Sequence, residues 1–116
     1  MRRKQMVEKT VMDILKTWGS GDKPVKLVEI CKRLGIPVKF APVRGNKAAA
    51  IGGGAGMGAW YFIVIDPTAP PADRERLIAH ELGHIRLGHV DASPPTESLA
   101  EWEEEADYFA EILLGG

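Results

Sequence analysis

The sequence contains a single cysteine, Cys31, so no internal disulfide can form. The glycines between 52 and 58 break its longest uncharged stretch, and no run of 18 apolar residues remains to cross a bilayer as a helix. It also lacks an excess of charge of either sign. Fifteen basic residues against 16 acidic ones leave a formal net charge of -1, which gives no global field toward nucleic acid or a membrane surface. The basic start Met1-Arg2-Arg3-Lys4 is not followed by the apolar segment of a secretion signal, because Gln5, Glu8, Lys9, Asp13 and Lys16 interrupt it. These absences point to a reducing cytoplasm. There are no repeats and no low-complexity tails. What is present is ordinary for a soluble globular protein: 116 residues, 45% apolar and 27% charged, expected to fold as one domain over 1–116.

Along the chain, Val7, Val11, Ile14, Leu15 and Trp18 recur at helical spacing and predict a helix over 3–18, ended by Gly19-Ser20-Gly21-Asp22. A second helix is expected over 24–34, with Pro24 in its first turn, Leu27, Val28, Cys31 and Leu34 as its stripe and Gly35 as its stop. On that stripe Cys31 reads as a buried, inert thiol. Two short helices invite a helix-turn-helix reading. The second has no evident base-reading face, so a small DNA-binding regulator is a minor alternative. Alternation of Ile36, Val38 and Phe40 predicts a strand over 36–42, with Pro37 and Pro42 pushing it toward a sheet edge. A strand over 47–52 is weaker because three alanines are poor strand formers. The glycines at 52–58 match a loose dinucleotide fingerprint, but a strand and not a helix follows, so a hairpin loop is expected. Ala59–Ile65 is strongly apolar and should be the central strand. A helix is expected over 71–87 and another over 97–114, the latter capped by Thr96 or Ser98, with Trp102, Ala106, Phe109, Ala110 and Leu113 as its stripe.

The predicted helix over 71–87 carries His80-Glu81-Leu82-Gly83-His84. Histidines four apart share a helix face and can close on one ion. A glutamate beside the first can reach a water held by that ion and act as its base. This is the H-E-x-x-H arrangement of zinc peptidases. With the element order it implies an α+β, zincin-like domain: about four helices on a short, three-stranded, mainly antiparallel sheet. Gly83 costs about 1 kcal/mol inside a helix, which suggests that another backbone approaches there.

A catalytic zinc usually takes three protein ligands. The metzincin spacing would need glycine at 87 and histidine at 90, whereas this chain has Leu87-Gly88-His89. His89 is therefore a poor third ligand, and could instead cap the helix or line the cleft as an oxyanion donor. Among the glutamates of the last helix, Glu104 points away from the apolar stripe, while Glu103 and Glu105 flank it on opposite sides. Asp107, one turn after Glu103, could support a ligating histidine and favours Glu103, with Glu105 the second choice.

The run Arg76-Leu77-Ile78-Ala79-His80-Glu81-Leu82-Gly83-His84-Ile85-Arg86-Leu87-Gly88-His89 resembles the core of the ImmA/IrrE family of zinc metallopeptidases. The run from Glu103 through Ala106, Asp107, Phe109 and Ala110 to Leu113-Leu114 resembles that family's second motif, and Leu34-Gly35-Ile36-Pro37-Val38 its helix-to-strand entry. The resemblance spans about residues 24–114. It implies zinc held by His80, His84 and Glu103, with Glu81 as general base. It also implies a protein substrate, a helix-turn-helix repressor of phage or mobile-element type. Direct nucleic-acid or membrane binding is not expected. His89, Tyr61 and Tyr108 are the candidates for steadying the oxyanion. The competing reading is a non-catalytic, zinc-containing module that docks on a repressor or antitoxin. An intact Glu81 argues against it, since a purely structural site has no use for a base there.

Overall fold

A computed structural model of the chain describes residues 3–18, 27–43, 45, 47–54, 58–90 and 99–115. The sequence-expected stop at 19–22, the start of the second helix at 24–26 and the caps Thr96 and Ser98 lie outside these residues. The described elements are α1 (Lys4–Trp18), α2 (Leu27–Arg33), β1 (Val38–Phe40), β2 (Ala48–Gly53), β3 (Trp60–Ile65), α3 (Pro71–Arg86) and α4 (Leu99–Leu113). Four helices and a three-stranded sheet make an α+β fold, as the patterning predicts.

The sheet order is β1-β3-β2. β3 is central because Trp60–Ile65 is the apolar, β-branched and aromatic segment, and its Ile63, Val64 and Ile65 are buried. β2 pairs with it antiparallel over six residues, from Ala48↔Ile65 to Gly53↔Trp60. β1 pairs parallel over three, Val38↔Ile63 to Phe40↔Ile65. β1 is shorter than its alternation suggests. Prolines bracket it, and a proline has no N–H to give a ladder. Pro37 still accepts a bond from Ile63 through its carbonyl, at 3.0 Å. The alanines of β2 hold a strand against their propensity, because β3 supplies a complete ladder and α3 lies over their small side chains.

α3 packs on β2 and β3 with one side and on α4 with another. α1 covers α4, and α2 touches α3 and β1. Val7, Val11, Leu27, Cys31, Ile63, Ile65, Leu82, Phe109 and Leu113 join in one core. Cys31 lies in it with no exposed surface, and burial pushes its thiol up to about 12. The thiolate is suppressed, in line with an inert thiol. Gly83 does mark a close approach, but by a side chain and not a backbone. A Cβ there would lie 3.0 Å from Phe109 Cδ1 and 3.1 Å from its Cβ. Glycine thus lets α4 press its largest core residue directly onto α3.

Candidate functional site

α3 starts without a side-chain cap. Pro71 takes the first turn, where a missing N–H costs nothing, and Asp73 complements the positive helix end. Its C-terminus is more consequential. Gly88 takes a left-handed φ of 81°, the Gly88 N–H donates to the Ile85 carbonyl at 3.2 Å, and the His89 N–H donates to the His84 carbonyl at 2.9 Å. This is a Schellman turn. It folds His89 back beneath His84, so that His89 approaches that ring from its Nδ1 side.

His80, His84 and Glu103 come together from α3 and α4. Their ligand atoms all lie within 4.8 Å of one another. His80 Nε2 is 3.1 Å from His84 Nε2. Glu103 Oε2 is 2.9 Å from His80 Nε2, and Glu103 Oε1 is 3.2 Å from His84 Nε2. Two donors bound at about 2.0–2.2 Å on a tetrahedral ion stand roughly 3.3–3.6 Å apart. The three atoms are therefore close to the spacing a single tetrahedral ion would impose.

Hydrogen bonding fixes which atoms are free to bind. His80 Nδ1 is 2.8 Å from Asp107 Oδ1. A carboxylate accepts, so Nδ1 carries the proton and the neutral ring keeps its lone pair on Nε2. His89 Nε2 is 2.9 Å from Glu105 Oε1 and must donate to it in the same way. Neutral His89 is then an acceptor at Nδ1, which lies 2.9 Å from His84 Nδ1. His84 donates there, and its lone pair also falls on Nε2. With these tautomers, two imidazole Nε2 atoms and a carboxylate converge, a donor set that suits a cation. Burial is the main cause that pushes His84 down to about 4 and lowers His89 as well, keeping both rings neutral.

Glu81 faces the same space and is only 9% exposed. Burial raises its pKa above the usual carboxylate range, and the charge of Glu103 adds to this. Nearby His80 and the N–H of Ala50, which its carboxylate accepts, pull the other way. The cleft in front of these residues has a volume of about 630 Å³ and is bordered by Lys47, Ala48, Ala50, Asp73 and Arg76.

The profile of the IrrE N-terminal-like domain, a peptidase family, matches residues 31–114, more than half of the chain. The chain belongs to this family. A comparison with curated proteins finds no match. Membership of the IrrE N-terminal-like family supports a metallopeptidase-type function, and His80, His84 and Glu103 form a group that could hold a metal ion.

In this IrrE N-terminal-like domain the structure brings Glu103, and not Glu105, to the two histidines. Asp107 stands behind His80, the place its spacing from Glu103 suggests. Glu105 turns inward to His89 and is 1% exposed. Two candidate oxyanion donors are engaged elsewhere. Both ring nitrogens of His89 are occupied, and its ring stacks on Trp102 at 4.4 Å and 5°. The Tyr108 hydroxyl donates to Glu8 of α1, which raises its pKa to about 12. The Tyr61 ring lies over Gly52. Sequence reasoning missed the buried role of Glu105. A signal existed: position 105 borders the apolar stripe 102/106/109/113, one turn before Phe109, where an acid that turns inward needs a buried partner. Arg3 was missed as well. It sits 3.5 Å from Glu105 Oε2 through Nε, and nothing local in the sequence links the two.

Proposed function

We propose that this chain is a zinc-dependent endopeptidase whose ion is held by His80, His84 and Glu103 and whose general base is Glu81. The observation that carries the reading is the convergence of two imidazoles and a carboxylate beside a buried glutamate in one open cleft. Bound zinc would supply Lewis acidity, lowering the pKa of a coordinated water and polarising the scissile carbonyl. The chain's own residues do the rest. Glu81, with its raised pKa, takes the proton of the attacking water and delivers it to the leaving amine. Asp107 holds the His80 ring in the tautomer that keeps Nε2 free.

The substrate is an extended protein segment. β2 is an edge strand bordering the cleft. Lys47, paired through its carbonyl with Asp66, and residues 49 and 51 direct their backbone groups to β3, so those of 48, 50 and 52 face outward. The Ala50 N–H is taken by Glu81. Backbone groups of Ala48 and Gly52 remain to pair an added strand alongside the base. By family resemblance the natural substrate is a helix-turn-helix repressor in the cytoplasm.

The test combines metal analysis with incubation against the repressor encoded nearest the gene, reading fragments by mass. Wild type should copurify with about one zinc and cut the repressor at one position. Glu81→Gln should keep the zinc and lose the cut. Continued cleavage by Glu81→Gln would sink the mechanism. Repressor binding without cleavage by the wild type would favour the docking module instead.

A further inference from the structure

His84 is held by an uncommon partner. Its Nδ1 meets another imidazole where His80 meets a carboxylate. That imidazole belongs to His89, which is 6% exposed and has both nitrogens bonded at 2.9 Å. Its ring plane is fixed by the parallel Trp102, and its backbone by the Schellman turn at Gly88. Behind it lies Glu105, whose second oxygen is 3.5 Å from Arg3 Nε. A terminal nitrogen of Arg3 also donates to the Leu87 carbonyl at the end of α3, at 3.3 Å. Burying a carboxylate costs several kcal/mol unless its partners recover it. An apolar residue at 105 would hold α1 and α4 together at less cost, and Val7, Val11 and Ile14 already anchor α1 in the core.

We propose that Arg3, Glu105 and His89 form a positioning chain, buried at His89 and Glu105 and partly exposed at Arg3, that holds His84 in its metal-binding tautomer and orientation, so that the residue leading into α1 helps set the metal affinity of the site. The proposal rests on His80, His84 and Glu103 being the ligands. The direction of donation follows from the chain's charged end. Glu105 accepts from His89 Nε2, which leaves His89 Nδ1 as acceptor, which requires the His84 proton on Nδ1. Without Glu105, His89 can place its proton on Nδ1 and drive His84 into the tautomer that blocks its Nε2. Arg3 compensates the buried charge of Glu105. It stands immediately before α1, outside the matched residues 31–114, so the device joins the start of that helix to the site of the matched domain. The three act on the site through His84 and are positioning residues.

The experiment measures zinc affinity by competition with a chromophoric chelator, and the absorption bands of the cobalt-substituted protein, on full-length chains checked for native far-UV circular dichroism. His89→Phe keeps a ring over Trp102 but can neither accept from His84 nor donate to Glu105. It should weaken zinc binding about 10- to 100-fold and shift the cobalt bands. His89→Asn, whose amide oxygen can occupy the Nδ1 position, should recover much of the loss. Arg3→Met, a change just before α1 and far from the ligands in sequence, should weaken zinc several-fold with the fold intact. Wild-type affinity and cobalt bands in both His89→Phe and Arg3→Met would overturn the proposal. Equal losses in His89→Phe and His89→Asn would overturn it as well, since packing and not acceptance would then be the role. A wild-type chain that binds neither zinc nor cobalt would overturn the ligand reading, and with it this one. Loss of binding in His84→Ala with wild-type affinity in His89→Phe would sink the positioning chain alone.

Discussion

The two histidines of α3 share a helix face and present the same atom, yet their surroundings are opposites. His80 leans on Asp107 beside Glu103, carboxylates whose side chains are 60% and 61% exposed. His84 leans on His89 and Glu105, whose side chains are 3% and 1% exposed. The solvent half can be altered without touching the core. The buried half is part of the core, so chemistry and stability are joined there. One side of the site is held by charge in water, and the other by packing and a directed chain of hydrogen bonds.

The largest expected effect lies on the solvent half. Glu103→Ala removes the proposed third ligand from an exposed position. It should abolish stoichiometric zinc binding, measured by metal analysis after dialysis, while unfolding free energy moves by no more than about 0.5 kcal/mol. A stability loss of several kcal/mol would erase the contrast. Next comes the base between the halves. Glu81→Gln should lower cleavage about 10²- to 10⁴-fold at unchanged zinc content.

A matched pair then sharpens the comparison. Glu105→Ala leaves His89 and Arg3 without their buried partner and should cost about 1–3 kcal/mol in denaturant unfolding. Asp107→Ala should cost under about 0.5 kcal/mol. Equal costs would show that burial does not separate the two sides. Gly83→Ala probes how tightly the buried half is packed. Its Cβ would meet Phe109 at 3.0 Å, so overpacking of about 1–3 kcal/mol opposes a helix-propensity gain of about 1 kcal/mol. A small net loss follows, and a gain in melting temperature would mean that Phe109 can retreat.

The smallest effect is one of pH. Burial holds folded His84 near 4 against an ordinary 6.5. In that interval the unfolded chain binds a proton that the folded chain does not, so stability rises with pH. The contribution is present above about 6.5 and is lost as pH falls toward 4. Melting of the metal-free protein should therefore be level above pH 6.5 and drop by several degrees on the way to pH 4. Asp66 is lowered from 3.8 to about 2, chiefly by hydrogen bonds from Thr68 and Val43, and loses its contribution only at still lower pH. A midpoint insensitive to pH between 6.5 and 4 would show that His84 is solvated despite its surroundings.

Much of this was legible because it depends on short spacing. The i, i+4 histidines, the glutamate between them and the Glu103–Asp107 pair are fixed by helical geometry once the helices are assigned. The central strand was plain from its β-branched and aromatic content. β2 was faint, because Ala48-Ala49-Ala50 carries no strand signal of its own and gains its ladder only from β3. The place of Glu105 was less legible than that of Glu103. Position on a wheel does not say which side faces the cleft until α4 is docked on α3.

The sequence by itself determined the spacing of His80, Glu81 and His84 on one helix, the helix stops at Gly35 and Gly88 and the order of elements. Each rests on interactions within a few residues, which the chain carries wherever it folds. Only the tertiary structure decided that Glu103 meets the histidines, that Phe109 fills the space above Gly83, and that Arg3 reaches Glu105. These contacts join α1, α3 and α4 across long separations, and they arise only when the core brings the helices together. His89 shows the boundary between the two. Its turn was written in Gly88, but its role came from the buried acid that α4 placed behind it.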